Sequence, residues 1–474
     1  MSNDMETRYL ERLNRYVTAM RNEKPDCIPI RPFAAEFVAT HTGTTCQAVT
    51  QDFNKAFEAT CTTAADYDWD ATVGNMVYVW TGLTQALGLR YYGSPGMEIS
   101  QDTAFQYIEP PADEAYMRED EYDALIDDPT AFLYNTWLPR VSKEIQAPGE
   151  PVTYRHNLAL VRGGMAMLNY FFGFPGQGAR LRAESGTVSA IAGIFKAPFD
   201  IIADKLRGYE GLSMDMLTQP DKVLAACEAL MPHLYNMALS GADPDGYVPI
   251  GFWMHRGCVP FISPEQYDSH YWPTLKPIIE ALWERGHQTL FYAEGNWDHH
   301  LASFRELPDR SIVFHLDRSD IELTHKTLGD KFCISGGIPN AILSYGTPDE
   351  VRAACKRVID IAAGDGGYIM DASAILQNDA KPENVRAMTE FTREYGQYGG
   401  SPKAELPPPI FEGDPVTDPL PDFAKNAHPG ACTPWPERKQ QLPPITGDES
   451  LVQRVWGEVD GLSNMFIWHC LLSF

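Results

Sequence analysis

Eight short apolar runs constrain this chain more than any other feature. They lie at residues 27–30 (CIPI), 69–73 (WDATV), 189–195 (SAIAGIF), 247–252 (YVPIGF), 289–293 (TLFYA), 312–316 (IVFHL), 332–335 (FCIS) and 368–370 (YIM). Most are followed by a turn signal and a helical stretch. Runs this short and this continuously apolar suit strands buried on both faces, as in a parallel sheet covered by crossover helices.

The intervening segments carry helix start signals. Ser263-Pro264-Glu265-Gln266 combines an N-cap serine, a proline at the first helical position and a capping-box glutamine. Thr347-Pro348-Asp349-Glu350 repeats the pattern with glutamate. Ile278/Leu282 and Ile279/Trp283 stand four apart and give one apolar face. Eight strands alternating with helices predict an α/β fold, a (β/α)₈ TIM barrel, with a doubly wound open sheet as the alternative. The barrel is expected over residues 1–400, with a cap inserted at 92–186. Within that insertion the acidic stretch 118–128 (REDEYDALIDD) reads as a solvated helix face, and Gly173-Phe174-Pro175-Gly176-Gln177-Gly178 as a turn. Residues 401–474 form a second unit. Its first part, 401–444, holds twelve prolines and reads as an extended arm. Its last part, 464–474 (NMFIWHCLLSF), must pack on the barrel or on a second subunit, which leaves a homodimer open.

Charge narrows the partners. Lys and Arg total 38 against 64 Asp and Glu, a formal charge of −26 over 474 residues. Such a surface repels phosphate backbones and anionic membranes, so neither nucleic acid nor membrane is expected as a partner. No run reaches the ~18 apolar residues of a membrane span, and the charged N-terminus has no secretory apolar core. The nine cysteines show no CxxC and no paired spacing. Together these features predict a cytoplasmic protein without a disulfide framework.

Familiar catalytic motifs are absent. There is no P-loop, no HExxH and no GxSxG. In barrels of this kind reactive groups stand just past the C-terminal strand ends. Glu294, Tyr292 and His255 are the catalytic candidates, His255 being either a base or a satisfied polar histidine. Arg256 is either a substrate contact or an internal ion-pair partner, and Asp317 and Asp371 either act directly or cap loops. Asn75, Trp253, Asn296, Trp297, Ser373 and Gln377 complete the candidate substrate-binding set. Aromatic side chains interleave with these polar groups, which suits a small organic ligand.

The order of several segments resembles the uroporphyrinogen decarboxylase superfamily. Residues 22–30 (NEKPDCIPI) resemble its first helix-to-strand turn, and Ala197-Pro198-Phe199 followed by 208–217 its third-strand loop and helix. Tyr292-Ala293-Glu294-Gly295-Asn296 stands where the family has His-x-Cys-Gly-Asn. Gly336-Gly337-Ile338-Pro339 and Gly346-Thr347-Pro348-Asp349-Glu350-Val351 resemble its seventh strand and last long helix, and Pro382-Glu383-Asn384-Val385 its final helix start. The matches run from about residue 8 to 395.

The resemblance implies a (β/α)₈ barrel and one of two chemistries. The decarboxylases carry Met-Arg-Gln-Ala-Gly-Arg where this chain has residues 31–37 (RPFAAEF), and Phe-Ser-Asp where it has residues 73–77 (VGNMV). Both departures favour the other branch, the corrinoid-dependent methyltransferases. That branch implies cobalamin on a partner, a corrinoid carrier protein, because the DxHxxG signature is missing here. Its thiol-activating members hold zinc on His-x-Cys and a later Cys. Here those places are Tyr292, Glu294 and Ser373 or Ala374, so no zinc is expected and no resident metal is assigned. His299 and His300 leave a rebuilt site open. Glu294, buried among aromatics, is expected to be a protonated acid for a poor leaving group. The leading expectation is methyl transfer between a small, largely apolar substrate and the carrier, its direction open. A decarboxylase of another substrate and a non-catalytic binding barrel are the alternatives.

Overall fold

The computed structural model describes residues 2–73, 81–425 and 427–473. Two short strands, β1 (Ala71–Thr72) and β2 (Val188–Ser189), pair in parallel. Six more form one parallel sheet in chain order: β3 (Ile194–Phe195), β4 (Ile250–Met254), β5 (Thr289–Ala293), β6 (Ile312–Leu316), β7 (Cys333–Gly336) and β8 (Tyr368–Ile369). The α/β expectation with a parallel sheet therefore stands, but the sheet as assigned is six-stranded plus a pair, not eight strands in one sheet. The run at 27–30 makes a parallel bridge from Ile30 to Met370 instead of a strand. Pro29 and Pro32 flank it, and proline offers no N–H to a ladder. Their carbonyls still accept bonds, from Met370 (2.9 Å) and Val73 (3.4 Å).

Period-two alternation sorts the strand residues into two cores. Phe291, Ala293, Phe314, Leu316 and Ile334 pack under the helices. Leu290, Tyr292, Val313, Cys333 and Ile369 face the opposite side, where Leu13, Tyr16, Val17 and Met20 join them. Those four belong to α1 (Ser2–Met20), which covers the N-terminal strand ends; Gln288, just before β5, donates to the Met20 carbonyl at 3.0 Å. Both anticipated capping boxes are present. Ser263 and Gln266 bond reciprocally at 3.2 and 2.9 Å, and Thr347 and Glu350 at 3.4 and 2.8 Å.

Residues 92–186 hold a small antiparallel hairpin, Tyr92–Gly93 with Gln106–Tyr107, and a 27-residue helix, α2 (Tyr154–Arg180). The expected turn at 173–178 is inside α2, Pro175 included. Here packing overrides propensity: Phe174 and Tyr170 lie against Phe57 and Phe53. The acidic stretch contains the helix Tyr122–Asp127, with Tyr122 and Leu125 buried and the acids outward. After the irregular arm, α7 (Glu449–Ser473, numbered after α3 Pro220–Ser240, α4 Trp272–Glu284, α5 Pro348–Ala362 and α6 Pro382–Tyr395) buries Ile467, Trp468 and Leu471. It packs there against α2 and α3, while Leu451, Val455 and Val459 remain exposed. No helix among the described residues is long and apolar enough to cross a membrane.

One buried carboxylate ties the two ends of the fold together. Asp70 accepts from the Ile30 N–H at 2.7 Å, from Arg393 of α6 at 2.8 Å, and from Arg15 of α1. Burial works against its charge, but Arg393, Arg15 and Arg12 outweigh it and hold the carboxyl below its usual range. Asp70→Asn would leave buried guanidinium groups uncompensated, which typically costs about 3–5 kcal/mol. Urea unfolding of that variant is expected to show a loss of this size; a midpoint equal to the parent's would refute the role given to Asp70.

Candidate active site

Alternation also places the polar groups. Trp253, Tyr292, His315 and Ser335 face the inner side of β4 to β7, and Asp371 follows β8 by two residues. Phe33 and Trp253 pack edge-on at 5.4 Å, and Phe33 lies 6.1 Å from Tyr292. Below this layer, toward α1, the inner residues are the apolar Leu290, Val313, Cys333 and Ile369. Two positions further along each strand come His255, Glu294, Asp317, Gly337 and Ser373. The site thus has an apolar base, a buried polar floor and a charged rim.

Arg31 is the centre of the floor. It is 0% exposed, as is Asp371. Its Nη2 lies 3.2 Å from His315 Nδ1, 3.0 Å from Ser335 Oγ and 3.1 Å from Asp371 Oδ2. His315 Nε2 is 3.1 Å from the Ser373 carbonyl, so Nε2 carries the proton and Nδ1 accepts from Arg31. Burial and Arg31 both push the His315 pKa well down, so the ring is neutral. Tyr292 stacks on it at 3.9 Å. Burial raises the Asp371 carboxyl to about 7 against the opposing pull of Arg31.

The rim encloses a cavity of about 750 Å³ lined by Glu294, Asp317, Arg318, Asn340, Ser373 and Gln377, among others. Asp317 accepts from the Gly295 N–H at 2.8 Å, and burial together with Glu294 raises its pKa. Gly295 has φ +94°, and a Cβ there would meet Cys258 Sγ at 2.5 Å, so this turn requires glycine. Glu294 itself is exposed to the cavity. The burial among aromatics expected for it is absent, because the turn at Gly295 carries it past the aromatic layer.

His255 and Arg256 belong to a second cluster at the ends of β3 and β4. His255 Nε2 is 2.9 Å from Asp204, Arg256 Nε is 2.7 Å from the same carboxylate, and Lys196 is 2.9 Å away. Burial disfavours the His255 charge, but Asp204 outweighs it and the pKa is raised. Asp200 accepts from the His255 and Arg256 N–H groups and from the Tyr271 hydroxyl. The structure therefore gathers Glu294, Asp317, Ser373 and Gln377 at one cavity, with Tyr292, Trp253 and Asp371 beneath it, and holds His255 and Arg256 in ion pairs beside it. Asn296 is occupied with Asp298. Trp297 is buried between helix and strand, donating to the Glu294 carbonyl at 2.9 Å. Asn75 lies outside the described residues. Sequence reasoning missed Arg31, His315, Ser335, Asp200 and Asp204. A polar residue inside an apolar run, His315 in IVFHL above all, was the available signal.

The zinc positions implied by the resemblance do not fit zinc. Tyr292 is buried against His315 and Ser373 offers a hydroxyl, so only Glu294 is a usual ligand. Of the two later histidines, His299 is exposed and His300 is buried, stacked on Tyr267 at 3.8 Å, with burial lowering its pKa to about 4. Among the described residues, Asp200, Asp204 and His255 are the one group close enough to share an ion. They already neutralise Lys196 and Arg256.

Residues 179–395 match the family described as uroporphyrinogen decarboxylase (URO-D). A methylcobamide:CoM methyltransferase, MtbA, of Methanosarcina mazei is 27% identical over 137 residues, 28% of this chain and 38% of that protein. A uroporphyrinogen decarboxylase of Vesicomyosocius okutanii is 30% identical over 70 residues, 15% of this chain and 20% of that protein. The chain thus matches well under two thirds of either relative's length. A solved methyltransferase structure from Methanosarcina mazei superposes with a TM-score of 0.54 over 81% of this chain and 98% of its own, at 14% identity. At that identity the likeness is one of fold.

The hairpin is fastened over the strand ends by a titratable bond. Glu36 accepts from the Phe105 N–H at 3.2 Å, its other oxygen is buried without a partner, and burial raises its pKa to about 7. The folded state then keeps a proton that the unfolded state loses near pH 4.5, so stability falls as pH rises from about 4.5 to 7, by about 3 kcal/mol from this group. Glu36→Gln is expected to remove that part of the slope. Urea midpoints of parent and variant at pH 5 and pH 8 measure it, and parallel profiles would contradict it.

Proposed function

We propose, from a chain whose residues 179–395 match the uroporphyrinogen decarboxylase family, that the protein is a corrinoid-dependent methyltransferase. It moves a methyl group between a small organic substrate in the 750 Å³ cavity and a corrinoid on a separate carrier protein. The observation that carries the reading is the position of that cavity. It opens past the C-terminal ends of parallel strands, lined by Glu294, Asp317 and Ser373. Its volume suits a small molecule. The fold likeness to a Methanosarcina mazei methyltransferase and the local similarity to MtbA point the same way.

The sheet is read as a closed (β/α)₈ barrel. Support comes from the Ile30–Met370 bridge, the Ala71 N–H bond to the Ile30 carbonyl (3.2 Å), the β1–β2 pair and the Gly251 N–H bond to Gly193 (3.1 Å). These contacts join the first segment to the last, and the second to the third.

The corrinoid, when its carrier docks, supplies the cobalt centre that takes or gives the methyl group. The chain's own residues bind the substrate and handle a proton. Glu294 and Asp317 line one wall, and burial together with the Glu294 charge raises the Asp317 pKa, which favours a proton on that carboxyl. That proton serves the atom released when the methyl group leaves.

Mixing the purified protein with a corrinoid carrier in its Co(I) state and screening methyl donors by the visible spectrum tests this reading. A donor-dependent spectral change is expected. Carbon dioxide release without any corrinoid would replace it with a decarboxylase. Glu294→Gln keeps shape and polar reach but removes the carboxyl group through which a proton can pass. It is expected to fold normally and lose on the order of 10²-fold or more in turnover; parental turnover would assign the acid elsewhere.

A further inference from the structure

Helix α2 is apolar on two opposite sides. Ala159, Gly163, Met167 and Tyr170 are buried against the body of the protein. A Cβ at Gly163 would meet Leu87 at 2.6 Å, so the helix sits close there. On the other side Tyr154, Leu158, Val161, Met165 and Phe172 are exposed, Tyr154, Met165 and Phe172 by 69, 63 and 74%. With the half-buried Leu168 they follow one another at 4, 3, 4, 3 and 4 residues, the repeat of a helix–helix seam. At 3.6 residues per turn this row lies half a turn from the buried one. A helix apolar on both sides belongs in contact on both.

The first half of α7 shows the same pattern. Val452, Val455, Val459 and Leu462 are exposed and stand 3, 4 and 3 residues apart. The row continues into Phe466 and His469, which are buried. His469 meets Phe171 of α2 edge-on at 4.2 Å. The two helices that bear the rows therefore touch, and the α7 row runs out of that contact into solvent. Their charges differ. In a chain of formal charge −26, α2 carries Arg155, Arg162 and Arg180 and no acidic residue. Arg155 and Arg162 are exposed, one heptad apart along the edge of the row. Helix α7 carries Glu449, Glu458 and Asp460 against Arg454. Both rows lie outside residues 179–395, the part that matches the family.

We infer that the two rows form an interface with a second copy of this chain, α2 of one copy lying on α7 of the other. Across a two-fold axis one patch meets itself, so the α2–α7 contact is made twice. That pairing sets the basic helix on the acidic one, whereas α2 on α2 would bring arginines together. At these exposures the two rows leave on the order of 10³ Å² in water, about what one partner of a standard interface buries (roughly 800 Å²). Monomers rarely leave more than a few hundred Å² of apolar surface together. A lipid surface is disfavoured by the net charge. The pairing needs nothing from the methyltransferase reading of the cavity.

Sedimentation velocity of the full chain tests this. The parent is expected at twice the chain mass at about 50 µM, where a Kd near 1 µM leaves almost every chain paired. Val161→Glu on α2 and Val455→Glu on α7 each bring two carboxylates into the seam, one per copy. Each is expected to raise the dissociation constant on the order of 10²-fold, as losing a central interface anchor does. The far-UV spectrum is expected to stay unchanged, because both side chains are exposed in the single chain. Met165→Glu and Val459→Glu repeat the measurement one turn away. Arg162→Glu and Glu458→Arg are each expected to weaken pairing several-fold, and the two together to bring it back toward the parent. A parent that sediments as one chain at that concentration overturns the inference. So does a dimer that none of the four glutamate substitutions weakens. A tighter dimer in Arg162→Glu, or a double charge variant weaker than either single one, overturns the pairing of α2 with α7.

Discussion

The buried Asp70 carboxylate is the contact on which the rest of the architecture depends. It sits one residue before β1 and gathers Arg12 and Arg15 from α1, Arg393 from α6 and the Ile30 N–H. Arg12 in turn donates to the Ser185 carbonyl at 2.7 Å and to Thr187 at 3.1 Å, next to β2. The first helix, helix α6 and the segments around Ile30, β1 and β2 therefore meet at one charge. Three guanidinium groups around a single anion remain viable only because several carboxylates share them; Asp26 and Asp68 take the surplus. Removing any one partner leaves unbalanced charge in a dry place, which makes the network all-or-none.

Above that base, the interior changes character within a few residues. Strand alternation puts Leu290 and Tyr292 on one side of β5, and Val313 and His315 on one side of β6. Each strand thus carries an apolar residue low and a polar one high. The low layer is sealed by α1 and supplies stability. The high layer is polar, buried and underused in hydrogen bonds, which is costly unless something fills it. Stability and chemistry are separated along the strand axis, with the polar floor at the boundary.

The loops past the strands set the rim. The Gly295 N–H bond to Asp317 and the Arg318 N–H bond to the Gly295 carbonyl lock the β5 and β6 loops together. That lock turns Glu294 out into the cavity. Trp297, three residues on, is pulled in the opposite direction to brace the loop through the Glu294 carbonyl. On the neighbouring strands, Asp204 commits His255 and Arg256 to a tight ion network with Lys196. Two polar centres at the same end of one sheet therefore have different characters: one saturated with partners, the other open.

The parallel α/β class, the capped helices and most of the strand runs were legible in the amino-acid order, because burial on both faces and N-cap chemistry act over a few residues. Position past a strand end likewise singled out Glu294, Asp317, Ser373 and Gln377. Helix α2 was not legible: aromatic packing of Tyr170 and Phe174 on Phe53 and Phe57 carries a helix through Gly173 and Pro175. Nor was the floor. Arg31 and His315 are 284 positions apart in sequence, and nothing local marks either as a partner of the other. Local order determines which segments become strands and helices and which way their side chains alternate. Which charges meet, which hydroxyls go unpaired and which carboxylate faces the cavity depend on distances set only when the sheet and its helices pack, because hydrogen bonds and desolvation act through space and not along the chain.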